Sequence, residues 1–142
     1  MKKFALLFFL TTTFCCIFAI GILNGRNSGT ASDTNELEGK WTSDVQGVTF
    51  TFSSDNFSVT SPNPNYWYKG TIELKTNTSP KQLKLKIKES GIPQYAGKTS
   101  LGIYKIEGDK LTLAANQPGY PTPPPSFKET GSAIVFVLTK QE

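Results

Sequence analysis

The most regular pattern in the chain is a period of two. Residues 82–88 set Leu83, Leu85 and Ile87 against Lys84, Lys86 and Lys88 without a break. Successive side chains of a strand point to opposite faces, so this stretch predicts a half-buried strand with its lysines in water. The same alternation occurs at 47–53, where Val48, Phe50 and Phe52 share one face and Thr49 and Thr51 the other. Asp55-Asn56 interrupts it and Phe57 to Thr60 resumes it, which predicts a hairpin. Within 66–76, Ile72 and Leu74 alternate with Glu73 and Lys75. Residues 101–106 predict a further strand, Glu107-Gly108-Asp109-Lys110 a tight turn, and 111–114 the returning strand. The run AIVFVLTK at 133–140 is almost continuously apolar and β-branched, so it must be covered on both sides or close a barrel.

The stretches between are turn material. Ser61-Pro62-Asn63-Pro64-Asn65 carries prolines that fix φ and remove donors. Residues 89–99 keep no period and predict a crossing loop with at most one helical turn. Residues 116–126 hold five prolines and predict a long loop at the rim. The sum is about seven to nine short strands and no helix of useful length. We therefore expect an all-β domain, a small antiparallel lipocalin-like up-and-down β-barrel, because hairpin-linked strands that close leave no exposed edges. An open sandwich is the alternative. Gly39 suits the crowded start of the first strand, and Trp41 can plug that end.

The first residues obey a different rule. Lys2 and Lys3 precede twenty residues without a charge, the profile of a secretory signal. Residues 4–23 are also long enough to cross a bilayer, which takes about 20 apolar residues. We expect 1–23 to be a signal peptide cleaved after Gly21 or Ala31, with a retained membrane anchor as the alternative. Lipidation at Cys15 or Cys16 is a third outcome, disfavoured by the bulky Phe14 before them. Residues 24–36 read as a flexible linker or cleavage region, and 37–142 as the folded domain. The expected location is exported: periplasmic, secreted, or held at the membrane through 4–23.

Composition then removes function classes. The 142 residues carry a formal charge of +4, contain no His, and have Cys only at 15 and 16. A Ser-His-Asp or Cys-His apparatus needs an imidazole, and a zinc site needs His or Cys that 37–142 does not contain. That domain has twelve lysines and no arginine against nine carboxylates. The lack of Arg disfavours bidentate recognition of bases or phosphates, and no nucleic-acid partner is expected.

Three segments together carry a resemblance. They are Leu37-Glu38-Gly39-Lys40-Trp41, Ser79-Pro80-Lys81-Gln82-Leu83, and the longer run from Leu101-Gly102-Ile103-Tyr104 through Gly108-Asp109 to Leu111-Thr112-Leu113. Over 37–140 the chain resembles a family of small exported bacterial domains, best known from planctomycetes, with a lipocalin-like fold. Gly39 and Trp41 also resemble the first-strand Gly-x-Trp of lipocalins proper. The resemblance implies a fold and a location and no reaction. The chain departs from that family where an Arg-Pro usually stands before the last strand: here Tyr120-Pro121 does, and Tyr120 would brace the barrel floor if the Arg does so. Ala114 replaces a frequent Cys, and the basic residue ending the last strand is kept as Lys140.

Candidate chemistry follows from these placements. Trp41, Phe50, Phe52, Tyr104 and Phe136, with Phe57 and Phe127, either fill the barrel or line a cavity for a small lipophilic ligand. Tyr66, Trp67 and Tyr68 are consecutive and cannot all point inward, so with Tyr95 and Tyr120 they form a candidate partner-binding rim unless loop 117–125 lies over them. Lys75, Lys84, Lys86 and Lys88 form a basic surface stripe, and Glu73 is expected to neutralise part of it. Solubility explains the stripe; attraction to an anionic lipid headgroup or polyanion is the alternative. Glu107 and Asp109 are expected in a solvated turn, which supplies little of the burial or the like-charge neighbour in a cleft that acid catalysis by a carboxyl group requires. We expect no catalytic residues, no metal and no cofactor, and a non-enzymatic binding or envelope-associated module. A structural cell-envelope domain is one alternative, and a carboxylate-dependent enzyme acting on an exported substrate another.

Overall fold

The structure, a computed structural model, describes residues 36–142. The expected signal or anchor at 1–23 and the linker up to residue 35 lie outside the described residues. The described chain forms eight strands: β1 (Gly39–Thr42), β2 (Thr49–Ser53), β3 (Asn56–Thr60), β4 (Tyr68–Lys75), β5 (Lys81–Ser90), β6 (Thr99–Glu107), β7 (Lys110–Asn116) and β8 (Ala133–Gln141). Each pairs antiparallel with the next, and β8 returns to β1, so the sheet is a closed up-and-down barrel of lipocalin-like type. The irregular stretch after β5 contains the expected single helical turn, a 3-10 helix at Pro93–Tyr95.

Closure resolves the reading of the last strand. β8 is not covered on both sides: Phe136 and Leu138 face the core, while Val137 is 56% exposed on the outer wall. Its two edges are satisfied by β7 and β1. On β5, Leu83, Leu85 and Ile87 point inward and the three lysines outward, as the alternation requires. A register slip between Lys69 and Gly70 bends β4 against β5. Gly70 is needed there, because a Cβ would stand 1.9 Å from the Lys86 carbonyl oxygen.

Connection length makes the two ends unlike. At one end β2–β3, β4–β5 and β6–β7 turn through short loops, and Leu37, Trp41, Tyr104 and Leu111 pack with 1% exposure or less. The Trp41 indole nitrogen donates 2.7 Å to the Leu37 carbonyl, fixing the entering chain across that end. This is the closed end. At the other, the longer connections 43–48, 61–67, 91–98 and 117–132 gather around an opening.

The proline segment behaves differently from the expected rim loop. The Gly119 amide donates to the Thr99 carbonyl at 2.8 Å, Pro123 lies beside Leu101, and the Lys105 ammonium stands 5.6 Å from the Phe127 ring centroid. Thr99, Leu101 and Lys105 are outward positions of β6, so the segment runs down the outer wall as a strap. The side-chain amide of Asn116 ties it in by donating 2.7 Å to the Thr122 carbonyl. Ile103 and its register partner Ala114 also face outward, yet they are 1% and 0% exposed. A second small core thus lies between strap and barrel wall, and Pro124 is buried with it.

Candidate functional site

The barrel interior is filled at the closed end and hollow toward the open one. A cavity of about 310 Å3 enters from the long-loop end. Its deep wall is made by inward residues of the strands, among them Phe50 (β2), Leu85 (β5) and Phe136 (β8). Phe50 and Phe136 meet edge to face, with centroids 5.2 Å apart. The mouth is framed by Tyr66 in the connection before β4, by Tyr68 at the first position of β4, and by Tyr95 on the 3-10 turn. Tyr66 and Tyr68 also meet edge to face at 5.1 Å, and Tyr68 and Tyr95 stand 6.2 Å apart.

The candidate interior and rim sets therefore regroup. Phe50, Phe57 and Phe136 from the first join Tyr66, Tyr68 and Tyr95 from the second around one cavity, while Phe127 lies outside the barrel beside Lys105. Trp41, Phe52 and Tyr104 do not line it; they form the solid floor. Trp67 points away from its neighbours: its ring lies against Gly91, with the Lys69 ammonium 5.9 Å from its centroid. Loop 117–125 does not lie over the tyrosines; only Gln117 and Pro118 reach the mouth before the strap descends. Tyr120 goes with the strap, 45% exposed and near the open end, so it does not stand in for an Arg bracing the floor.

Sequence reasoning missed Ile92, Gln117 and Ile134, which complete the mouth. The signal for Ile134 was present, since it lies two residues from inward-facing Phe136. At 47% exposure it is an apolar side chain held at an opening rather than in a core.

The electrostatics of the mouth are those of buried phenols. Burial raises the Tyr66 pKa above its ordinary value of 10.0, opposed in part by a hydrogen bond from Tyr68 and reinforced by Tyr95. Burial and the Tyr66 hydroxyl push Tyr68 upward as well. Both stay protonated at any physiological pH. The Tyr95 hydroxyl accepts 2.8 Å from the Gln117 side-chain amide, and the Ser100 hydroxyl donates 2.6 Å to the Asn116 carbonyl. No Asp, Glu, Lys or Arg side chain lines the cavity.

The carboxylates lie elsewhere. Glu107 and Asp109 are exposed in the β6–β7 turn, with Glu107 3.3 Å from Lys105. Glu73 accepts from Lys86 and lies 3.5 Å from Lys84, so the stripe is partly neutralised as expected, and Lys75 and Lys88 are exposed beside it. Glu36, at the end of the stretch expected to be a tether, is bound to the closed end: Tyr104 donates to it at 2.5 Å and Lys81 at 2.7 Å. Burial alone would raise its pKa, but these two donors hold it below the usual carboxylate value. Among the described residues no group of three or more His, Cys, Asp or Glu side chains converges to hold a metal ion. Comparison with protein-family models, with curated proteins and with solved structures finds no match for this chain.

Proposed function

We propose that this chain is a non-enzymatic, exported binding module that holds one small apolar molecule in the open end of its barrel. The cavity of about 310 Å3 carries the reading. An eight-stranded barrel has room either for its own side chains or for one small ligand. Here Trp41, Phe52 and Tyr104 fill one half, and the volume left in the other falls at the lower bound of ligand pockets, about 300 Å3. The filled floor makes it a cup rather than a channel.

Export rests on Lys2, Lys3 and the apolar stretch that follows, and kinship with the planctomycete-type family on the motifs it shares. The absence of catalysis rests on placement: Glu36, the carboxylate with two strong donors, stands at the end of the barrel opposite the cavity. Fractionation with intact-mass analysis tests the location, and a full-length soluble cytoplasmic product would end that part of the reading. Binding is tested by native mass spectrometry of protein purified from its own host, followed by denaturing extraction. A lipid or metabolite near one-to-one stoichiometry, lost from a folded Ile134→Trp variant that plugs the mouth, is the expected result. Consistently empty protein that binds nothing across lipid and metabolite panels would sink it.

A further inference from the structure

Resting on that reading, we infer that the mouth cavity selects an uncharged ligand, one whose apolar body carries a carbonyl or ether oxygen held by the Tyr95 hydroxyl and one hydroxyl of the Tyr66 and Tyr68 pair.

The walls decide the first half. The lining contains no ionisable side chain other than three phenols, and those of Tyr66 and Tyr68 are held protonated. A carboxylate or ammonium entering it would leave water without a partner of opposite charge. That penalty exceeds anything a few apolar contacts return. The lysines within two positions of a lining residue, Lys69, Lys84, Lys86, Lys88, Lys98 and Lys128, are exposed and do not line it, so they supply no counter-charge inside.

The hydroxyl inventory decides the second half. A phenol carries one proton to donate and an oxygen that accepts. Tyr66 and Tyr68 meet edge to face at 5.1 Å, and two hydroxyls that share a hydrogen bond use one proton between them, which leaves at least one phenol proton of the pair to be placed. Tyr95 uses its oxygen to accept from Gln117, which leaves its own proton likewise. No acceptor within the described residues takes up either one, and both rings belong to the mouth. The phenol protons are therefore donors at the mouth of a well whose deep wall is apolar. The other polar residues of the lining are Ser100, whose hydroxyl is taken by the Asn116 carbonyl, Asn116, whose amide is taken by Thr122, and Gln117, Thr130 and Ser132 at the rim. A ligand that offers only donors, or nothing polar, would leave both protons without an acceptor once water is displaced, at a cost. A ligand with an acceptor oxygen satisfies them, and Phe50, Leu85 and Phe136 cover its remainder.

The test uses four probes on one skeleton: 2-acetylnaphthalene, naphthalene, 2-naphthoate and 2-naphthylmethylammonium. Isothermal titration at pH 7 is run on the full chain in lipid nanodiscs, with empty nanodiscs as the blank. The ketone should bind tightest. The two ions should bind at least about tenfold more weakly, because their charge is left unpaired. Naphthalene should bind several-fold more weakly, by about the net value of one or two hydrogen bonds. In the triple variant Tyr66→Phe, Tyr68→Phe, Tyr95→Phe the ketone should lose its advantage over naphthalene while naphthalene binding stays. An ion binding as tightly as the ketone would overturn the charge rule, and a ketone preference that survives the triple variant would overturn the donor assignment. In either case the cup would still be a binding site. Failure of all four probes would reject the cup itself and this inference with it.

Discussion

The Lys140 ammonium stands 5.4 Å from the centroid of the Trp41 ring, and the two residues are register partners across the seam where β8 meets β1. The Lys140 side chain also crosses Gly39, where a Cβ would approach its Cε to 3.2 Å. One strand pair thus closes the barrel circumference and covers the floor of the cup together.

Trp41→Phe keeps the aromatic body but removes the donor to the Leu37 carbonyl, so it should cost about 1–3 kcal/mol, the penalty for a buried group left unpaired. Lys140→Ala should cost about 0.5–1 kcal/mol, the value of a partly exposed cation over a ring. A cycle of Trp41→Leu, Lys140→Ala and their double variant, in which the ring itself is removed, should give in urea unfolding a coupling energy that favours the paired residues. Strict additivity would show that the seam contact contributes nothing.

Ile103→Ala should behave as a core substitution although the residue faces outward, costing about 2–5 kcal/mol in urea unfolding. Leu85→Ala, inside the barrel, should fall in the same range. Lys86→Ala, the residue between inward neighbours, should stay within about 0.5 kcal/mol because its pair with Glu73 is exposed. A cost for Ile103→Ala as small as that for Lys86→Ala would mean that the strap does not pack on the wall.

Gly70→Ala places a methyl group against the Lys86 carbonyl and within 3.0 Å of the Phe57 ring. Backbone cannot move aside as a flexible side chain can, so the variant should lose at least about 1–3 kcal/mol. Gly108→Ala, at a turn with nothing within 4 Å, pays only for its positive φ and should lose less. Thermal unfolding that ranks the two the other way would contradict the bulge geometry.

Glu36 gives the floor an acid sensitivity. Its folded pKa lies below the ordinary 4.5, so its stabilising effect is full above 4.5 and is lost as pH falls through the folded value. Glu36→Gln should therefore be less stable than the natural chain at pH 7, and the difference should shrink as the solution is acidified. Urea midpoints measured from pH 7 to pH 3 check it; a difference independent of pH would show that the charge of Glu36 has no part in holding the floor.

What the residues settled alone was the alternation. Leu83, Leu85 and Ile87 had to face one way and Lys84, Lys86 and Lys88 the other, because a strand has a period of two and only one side was apolar. From such stretches, and from turns such as Glu107 to Lys110, the strands and their hairpin order were legible. Their closure into a barrel was legible too, since β8 is too apolar to stand as an edge. Three features depended on contacts distant in the chain, which no local pattern carries. The proline segment could have covered the mouth or the wall, and it went to the wall because Ile103 and Ala114 left an apolar patch there to bury. Glu36 looked like linker until Tyr104, 68 positions on, came within hydrogen-bonding reach. The aromatics, equal candidates in the sequence, were divided into floor and cup by their height along the barrel axis. That height depends on strand stagger and loop length. It left Trp41, Phe52 and Tyr104 against the short turns, where the chain is dense enough to fill the interior, and Phe50, Phe136 and the tyrosines at the wide end, where it is not.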